Sequence, residues 1–498
     1  MNDDYAQRLR TSGLKYEPIK MVVLKINEFG SEKVAKSFIK VFSETPDLIK
    51  PIIQEILSLI AIRPDTIQPF ISVFKLMFQD LAEDGPILTF RKNLFSACFK
   101  SASSYRKKIP HFNFLREMMK ADIFSIKEIG IKIAKFPATQ GNTYFSLLLY
   151  FAPELCAHRR TTYSKCLEKL SQCSNIESSL QNLGNSYSKL VQDNFLLLTD
   201  LINSGSGPSQ LSEAIFNDKS IYIAQLIDTT EKGDKPINKL PIEINEFLTK
   251  NPFIIEYAAY FGAIECIDHL LSLGVPPNQA TKYAVAAGKL NVLEHLIERS
   301  CSTEKVVSTA LATYRFDLLP KLKEILGEET FHNQLESSLY KFTRKGNYIA
   351  MMYILSLGVD INVCDVAHCT PVIYAANEGN LTTVKFLHEL GANMLISDIT
   401  DWNPLHFAAR GGFLEIFQFL LTLPGFNINM KTGCGDTPLL IAAENEKYDF
   451  VYYLLDQEET DLDSKNIKGQ EYIDLIKDPE AKAKIDQIMK KKREFILD

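Results

Sequence analysis

Asn403-Pro404-Leu405-His406-Phe407-Ala408-Ala409-Arg410-Gly411-Gly412 is the stretch that decides the architecture. Asn before Pro reads as a helix N-cap followed by proline at the first helical position, where no amide is missed. The paired alanines have minimal side chains and let neighbouring helices approach closely. The glycines end the helix where a left-handed residue is least strained.

The same string recurs on both sides. Upstream stands Thr370-Pro371-Val372-Ile373-Tyr374-Ala375-Ala376-Asn377-Glu378-Gly379, downstream Thr437-Pro438-Leu439-Leu440-Ile441-Ala442-Ala443-Glu444-Asn445-Glu446. A polar turn residue precedes each copy: Asp365, Asp398 and Thr432. Each copy continues into a second apolar-striped helix, as in Val384, Leu387 and Leu390 before Gly391. The period of 33–34 residues and the Thr-Pro-Leu-His-x-Ala pattern resemble the ankyrin repeat.

Weaker copies extend the pattern. Gly469-Gln470-Glu471-Tyr472-Ile473 follows one period later without Thr-Pro. Upstream, Leu270-Leu271-Ser272-Leu273-Gly274-Val275 returns almost unchanged as Ile354-Leu355-Ser356-Leu357-Gly358-Val359. The glycine-equivalent positions between them are Gly262, Gly288, Tyr314 and Gly346. Steps of 26 residues leave room for two helices but little for a finger, so fingerless helical pairs are expected near residues 278–327. A more degenerate copy is expected from Ala214, with Tyr222, Leu226 and Ile227 in its second-helix core.

Residues 1–203 carry no such signature and read as about ten amphipathic helices. Val34, Phe38, Val41 and Phe42, then Ile52, Ile56, Leu59 and Ile60, keep helical spacing. Pro51, Pro64, Pro69, Pro86, Pro110, Pro137 and Pro153 are expected at helix starts and joints. Gly141-Asn142 and Gly184-Asn185 read as helix ends. Ser204-Gly205-Ser206-Gly207-Pro208-Ser209 is the best domain boundary, with a second flexible point at Glu231-Lys232-Gly233-Asp234-Lys235-Pro236.

The expected fold is all-α: a helical N-terminal domain continuing into a curved ankyrin-repeat solenoid with short β-hairpin fingers. Its expected divisions are 1–203 all-helical, 209–364 degenerate ankyrin-like repeats, 365–478 regular repeats and 479–498 a C-terminal capping helix. In the capping helix Ile485, Ile488, Met489, Lys492, Phe495 and Ile496 share a stripe. The two-part plan is similar to the trichomonad-type ankyrin families of parasitic protists, with Arg63-Pro64-Asp65-Thr66-Ile67-Gln68 at the place of their Arg-Pro. Members of that group mostly lack an assigned function, so the likeness implies little beyond an ankyrin-type binding protein.

Composition narrows the class. The chain has 498 residues, 46% hydrophobic and 23% charged, which is globular rather than disordered. A net charge of −6 gives no footing for nucleic acid, and none is expected as a partner. Nine irregularly spaced cysteines fit a reducing compartment better than a disulfide framework. Met1-Asn2-Asp3-Asp4 lacks a basic then apolar leader, so no secretory signal is expected. Cytoplasmic residence is expected, with nuclear import through Lys490-Lys491-Lys492-Arg493 as the alternative.

No chemistry stands out. Gly433-Cys434-Gly435 is turn chemistry rather than a phosphate loop, and His158 with Cys156, Cys166 and Cys173 lacks metal-knuckle spacing. Cys364 and Cys369 flank one finger, and His406 reads as structural. No catalytic residue, cofactor or metal is expected.

The ankyrin resemblance implies instead that finger tips and the first-helix face bind a protein partner. By position these are Val366, Ala367 and Cys369; Ile399, Thr400 and Trp402; Gly433, Cys434 and Asp436; then Asn377, Glu378, Arg410, Glu444 and Asn445. Tyr260 and Phe261 belong there too, or dock on the N-terminal helices. Trp402, the single Trp, either points outward as an anchor or packs on its neighbours. The expected function is a monomeric, non-catalytic interaction scaffold. The alternatives are a peripheral membrane adaptor using the basic C-terminal helix, and an enzyme sited in residues 1–203.

Overall fold

The computed structural model describes residues 30–44, 46, 49–63, 66–79, 85–100, 108–170, 173, 214–222 and 252–497. Pro64, the Gly184-Asn185 dipeptide, both expected linkers, and Leu226 and Ile227 lie outside the described residues, as do the side chains from Lys490 onward. Secondary structure among the described residues is helical throughout, with no strand. They fall into two compact units, one within Pro18–Leu326 and the other within Gly327–Asp498.

The first unit opens with α1 (Ser31–Glu44), α2 (Ile49–Ile62), α3 (Ile67–Phe78), α4 (Pro86–Cys98), α5 (Ile109–Lys120), α6 (Ile126–Lys135), α7 (Gly141–His158) and α8 (Arg160–Leu170). The stripe read from sequence is the core face of α1: Val34, Ala35, Phe38 and Phe42 are buried. Phe42 stacks on Phe90 at 4.7 Å between centroids and Phe74 meets the same ring at a tilt at 5.6 Å, which joins α1, α3 and α4. Ser125 and Glu128 close a capping box at the start of α6. Gly141 opens α7, whose residues 143–152 are all buried. Two cations here face glutamates: the buried Arg116 meets Glu154 at 2.9 Å and the half-buried Arg91 meets Glu128 at 3.2 Å.

Pro153 departs from the expected punctuation, because it lies inside α7. Pro51 and Pro69 lie in the first turns of α2 and α3, where the missing amide has no helical partner to lose.

The repeat-like part of this unit holds α9 (Ile254–Phe261) with α10 (Ile264–Ser272), α11 (Ala280–Ala287) with α12 (Leu290–Glu298), and α13 (Val306–Ala312) with α14 (Leu319–Leu326). First helices stack on one another, α9 on α11 and α11 on α13. The pairs are joined by short loops without fingers. Residues 214–222 add a fragment of an earlier turn, where Asp218 accepts the Glu265 and Cys266 amides at 3.2 and 3.0 Å. Ala214 and Ile215 are buried there, but Tyr222 is 53% exposed and is not the expected core residue. Phe261 packs on Phe216 at 5.4 Å.

The second unit continues with α15 (Glu328–Lys345) and α16 (Tyr348–Ser356), α17 (Pro371–Asn377) and α18 (Leu381–Glu389), α19 (Pro404–Gly411) and α20 (Leu414–Leu421), α21 (Pro438–Glu444) and α22 (Tyr448–Asp456), then α23 (Tyr472–Leu475) and α24 (Pro479–Leu497). Thr370, Asn403 and Thr437 cap α17, α19 and α21 by accepting amides, with proline at the first helical position. Helix α24 packs on α22, burying Ala481 and Ile485, while the Lys484 ammonium sits 4.0 Å above the Tyr452 ring.

One hydrogen-bonded closure recurs down the repeats, ending the first helix in each described repeat except the last, α23. Asp218, Gly262, Gly288, Tyr314, Gly346, Gly379, Gly412 and Glu446 are all left-handed, with φ between 50° and 91°. The amide after each reaches back to the carbonyl five residues earlier at 2.8–3.0 Å, as Lys289 to Ala284 and Phe413 to Ala408. Seven of these eight acceptors are alanines, the exception being Phe342. Tyr314 and Glu446 adopt the strained backbone without being glycine, so the hydrogen-bonded frame rather than residue type enforces it.

Candidate functional site

Each finger is built on one polar residue. Asp365 Oδ1 accepts the amides of Ala367 and Cys369 at 2.9 and 2.8 Å. Asp398 Oδ1 takes those of Thr400 and Trp402, Thr432 Oγ1 that of Asp436, and Asn466 Oδ1 those of Lys468 and Gln470. Asx turns of this kind fold the chain back on itself within five residues. The fingers therefore follow a hairpin path, but each holds just two backbone bonds across its turn (Asp365 amide to Cys369 carbonyl, 3.2 Å, and His368 amide to Asp365 carbonyl, 2.9 Å), too few for a strand ladder.

Successive fingers are stitched together. The amides of Ile399, Gly433 and Ile467 donate to the carbonyls of Ala367, Thr400 and Cys434 at 3.0–3.1 Å. This fixes the residue after each turn-former in one register, so Val366, Ile399, Gly433 and Ile467 occupy equivalent tips. Their apolar members are 102%, 72% and 74% exposed.

Behind the fingers, the first-helix face carries arginines stacked on aromatic rings. The Arg344 guanidinium lies 4.1 Å above the Tyr374 ring, and Tyr374 stacks on Tyr340 at 5.4 Å. The Tyr374 hydroxyl donates to Asp365 in its own finger. One repeat on, Arg410 lies 4.9 Å from the Phe407 ring and donates to Asn377 of the preceding repeat. Glu378 faces Arg344 at 3.9 Å. Stacked guanidinium groups of this kind are held in place yet keep an open face for a partner.

The positions named from sequence divide by what they already bind. Val366, Ile399, Thr400, Glu378, Arg410, Cys434 and Glu444 are exposed. Trp402 is half-buried, lying on Phe407 at 5.4 Å and His406 at 6.2 Å within its own repeat. Asn445 donates to the Ile441 carbonyl and Asp436 accepts from Asn466, so both hold the scaffold. Ala367 and Cys369 are half-buried, and burial next to Asp365 and Asp398 pushes the Cys369 thiol up to about 11. His406 is buried. It accepts the Asn403 amide on Nδ1 and donates from Nε2 to Met430, and burial holds its pKa below the usual value.

Sequence reading missed Tyr340, Arg344, Tyr374, Phe407 and Ile467. Arg344 stands two residues before the left-handed Gly346, as Asn377, Arg410 and Glu444 stand before Gly379, Gly412 and Glu446. Counting back from that glycine finds it even without a Thr-Pro signal.

Among the described residues, no group of three His, Cys, Asp or Glu side chains is placed to hold a metal ion, and no helix is long and apolar enough to cross a membrane. No curated protein matches the sequence. It does match the family described as ankyrin repeats (3 copies), over residues 339–432 and again over residues 390–466. The C-terminal region of the chain is built of ankyrin repeats.

Proposed function

We propose that the chain is a non-catalytic scaffold or adaptor that binds a protein partner through the finger tips and first-helix face of its C-terminal repeats. The observation that carries this reading is the register of Val366, Ile399 and Ile467, three exposed apolar tips held by inter-finger hydrogen bonds. Apolar side chains held in water on a rigid frame lose little conformational freedom on binding. Arginine and tryptophan, both frequent in interface hot spots, stand beside them in Arg410 and Trp402. Ankyrin repeats suggest protein partners in general, and this surface is where we place the contact.

The same reading makes the protein a cytoplasmic monomer, with residues 1–203 as an all-helical N-terminal domain and a whole-chain plan like that of the trichomonad-type protist families. The experiment is affinity capture from native cells, comparing wild type with the Val366→Ser/Ile399→Ser/Ile467→Ser variant. A captured protein is then titrated onto the purified chain while Trp402 emission is followed. A protein lost from the folded variant, and shifting Trp402 emission in the wild type, supports the reading. Retention of every captured protein by the variant moves the contact elsewhere.

A further inference from the structure

The N-terminal helices form a half-open cleft of about 500 Å³ between α2, α4 and the start of α5. That volume lies within the range of small-molecule sites. Lys108 is a buried wall of it, only 6% exposed, while Lys50 and Lys100 line it from exposed positions. Ile53, Leu57 and Ala97 form an apolar side, and Asn93, Ser58 and Ser96 add neutral donors. No carboxylate occurs among its described lining.

Lys108 differs from the buried Arg116 and the half-buried Arg91, which each face a glutamate. Among the described residues the Lys108 ammonium meets the Ala97 carbonyl at 3.5 Å and His111 Nδ1 at 3.2 Å, and no carboxylate pairs with it. Burial and the Lys108 charge hold His111 at a pKa of about 3, so its ring is neutral and Nδ1 serves as an acceptor. Burial also depresses Lys108, with Lys100 adding to the effect. A buried ammonium without a counter-charge is costly, and an anion in the cleft removes that cost.

We propose that this cleft binds a small phosphate monoester, its phosphate taken by Lys108, Lys100 and Lys50 and its apolar body lying on Ile53, Leu57 and Ala97. Three cations and several neutral donors suit a tetrahedral dianion, whose oxygens accept from many directions at once.

The test uses the full chain with phenyl phosphate as probe and phenol and inorganic phosphate as its two halves, read by calorimetry and by ³¹P line broadening. Saturable binding of phenyl phosphate, tighter than either half, is expected. Lys108→Met should weaken it by about tenfold or more, and Lys50→Gln/Lys100→Gln by about three- to tenfold. The second variant alters only exposed side chains and keeps the test decisive should Lys108→Met fail to fold. Equal affinity for wild type and the Lys50→Gln/Lys100→Gln variant overturns the proposal. So does equal binding of phenol and phenyl phosphate, or no saturation by about 10 mM.

Discussion

The Ile399 amide donates to the Ala367 carbonyl at 3.1 Å, and this bond sets one finger of the repeat array in register with the next. The Ile467 amide repeats the relationship with Cys434. Backbone bonding places the tips, so their side chains are free to vary without cost to the frame. Replacing Val366, Ile399 and Ile467 together by serine should weaken partner binding about tenfold or more. The melting temperature should move by about 2 °C at most, because exposed side chains contribute little to stability. Thermal unfolding by circular dichroism, beside a binding curve with the captured partner, reads both quantities. A large fall in melting temperature would show that the tips support the fold instead.

Trp402 has a different standing. Its ring lies on Phe407 and His406, and the Arg410 guanidinium is 5.7 Å from its centroid. Trp402→Ala should therefore cost stability, about 1–3 kcal/mol, as well as binding. Trp402→Phe should recover most of the stability. Urea unfolding must be followed by circular dichroism, since the variant removes the only tryptophan. An alanine variant as stable as wild type would mean that the ring makes no net contribution to the repeat.

The repeat frame was legible because its constraints are local. A left-handed closure favours glycine, so Gly262, Gly288, Gly346, Gly379 and Gly412 mark the period in the chain itself. The period also places Tyr314, where residue type gives no hint. Pro153 was misplaced because a proline in a buried helix looks in sequence like one between helices. The basic cleft was invisible for another reason. Lys50, Lys100 and Lys108 come from separate segments and converge only through packing.

Two glycines separate backbone strain from crowding. Gly379 and Gly391 are both left-handed, at φ 73° and 88°. A Cβ at Gly391 meets nothing within 4 Å, whereas at Gly379 it would stand 2.5 Å from the Phe413 ring of the next repeat. Gly391→Ala should cost about 1 kcal/mol, the left-handed penalty alone. Gly379→Ala should cost about 2–4 kcal/mol, because the ring must also move. Chemical denaturation of the two variants measures the difference. Equal losses would mean that Phe413 swings aside freely. Combining Gly379→Ala with Phe413→Ala should recover part of the loss only if the clash is real.

Stability should also depend on two histidines, the buried His406 and the half-buried His111. His111 and His406 both have pKa values lowered by burial, His111 to about 3. The unfolded chain, with histidine near 6.5, then binds more protons than the folded one. The contribution is therefore complete above pH 6.5 and is lost as pH falls below it, down to about 3 for His111. A histidine held as low as His111 adds a slope approaching about 1.4 kcal/mol per pH unit in that window. Urea unfolding between about pH 6.5 and 5 stays above most carboxylate titrations and isolates this term. His111→Asn should flatten the slope there, whatever it does to stability at pH 7. An unchanged slope would mean that His111 protonates in the folded chain as readily as in the unfolded one, which its position between Lys108 and the α2 backbone argues against.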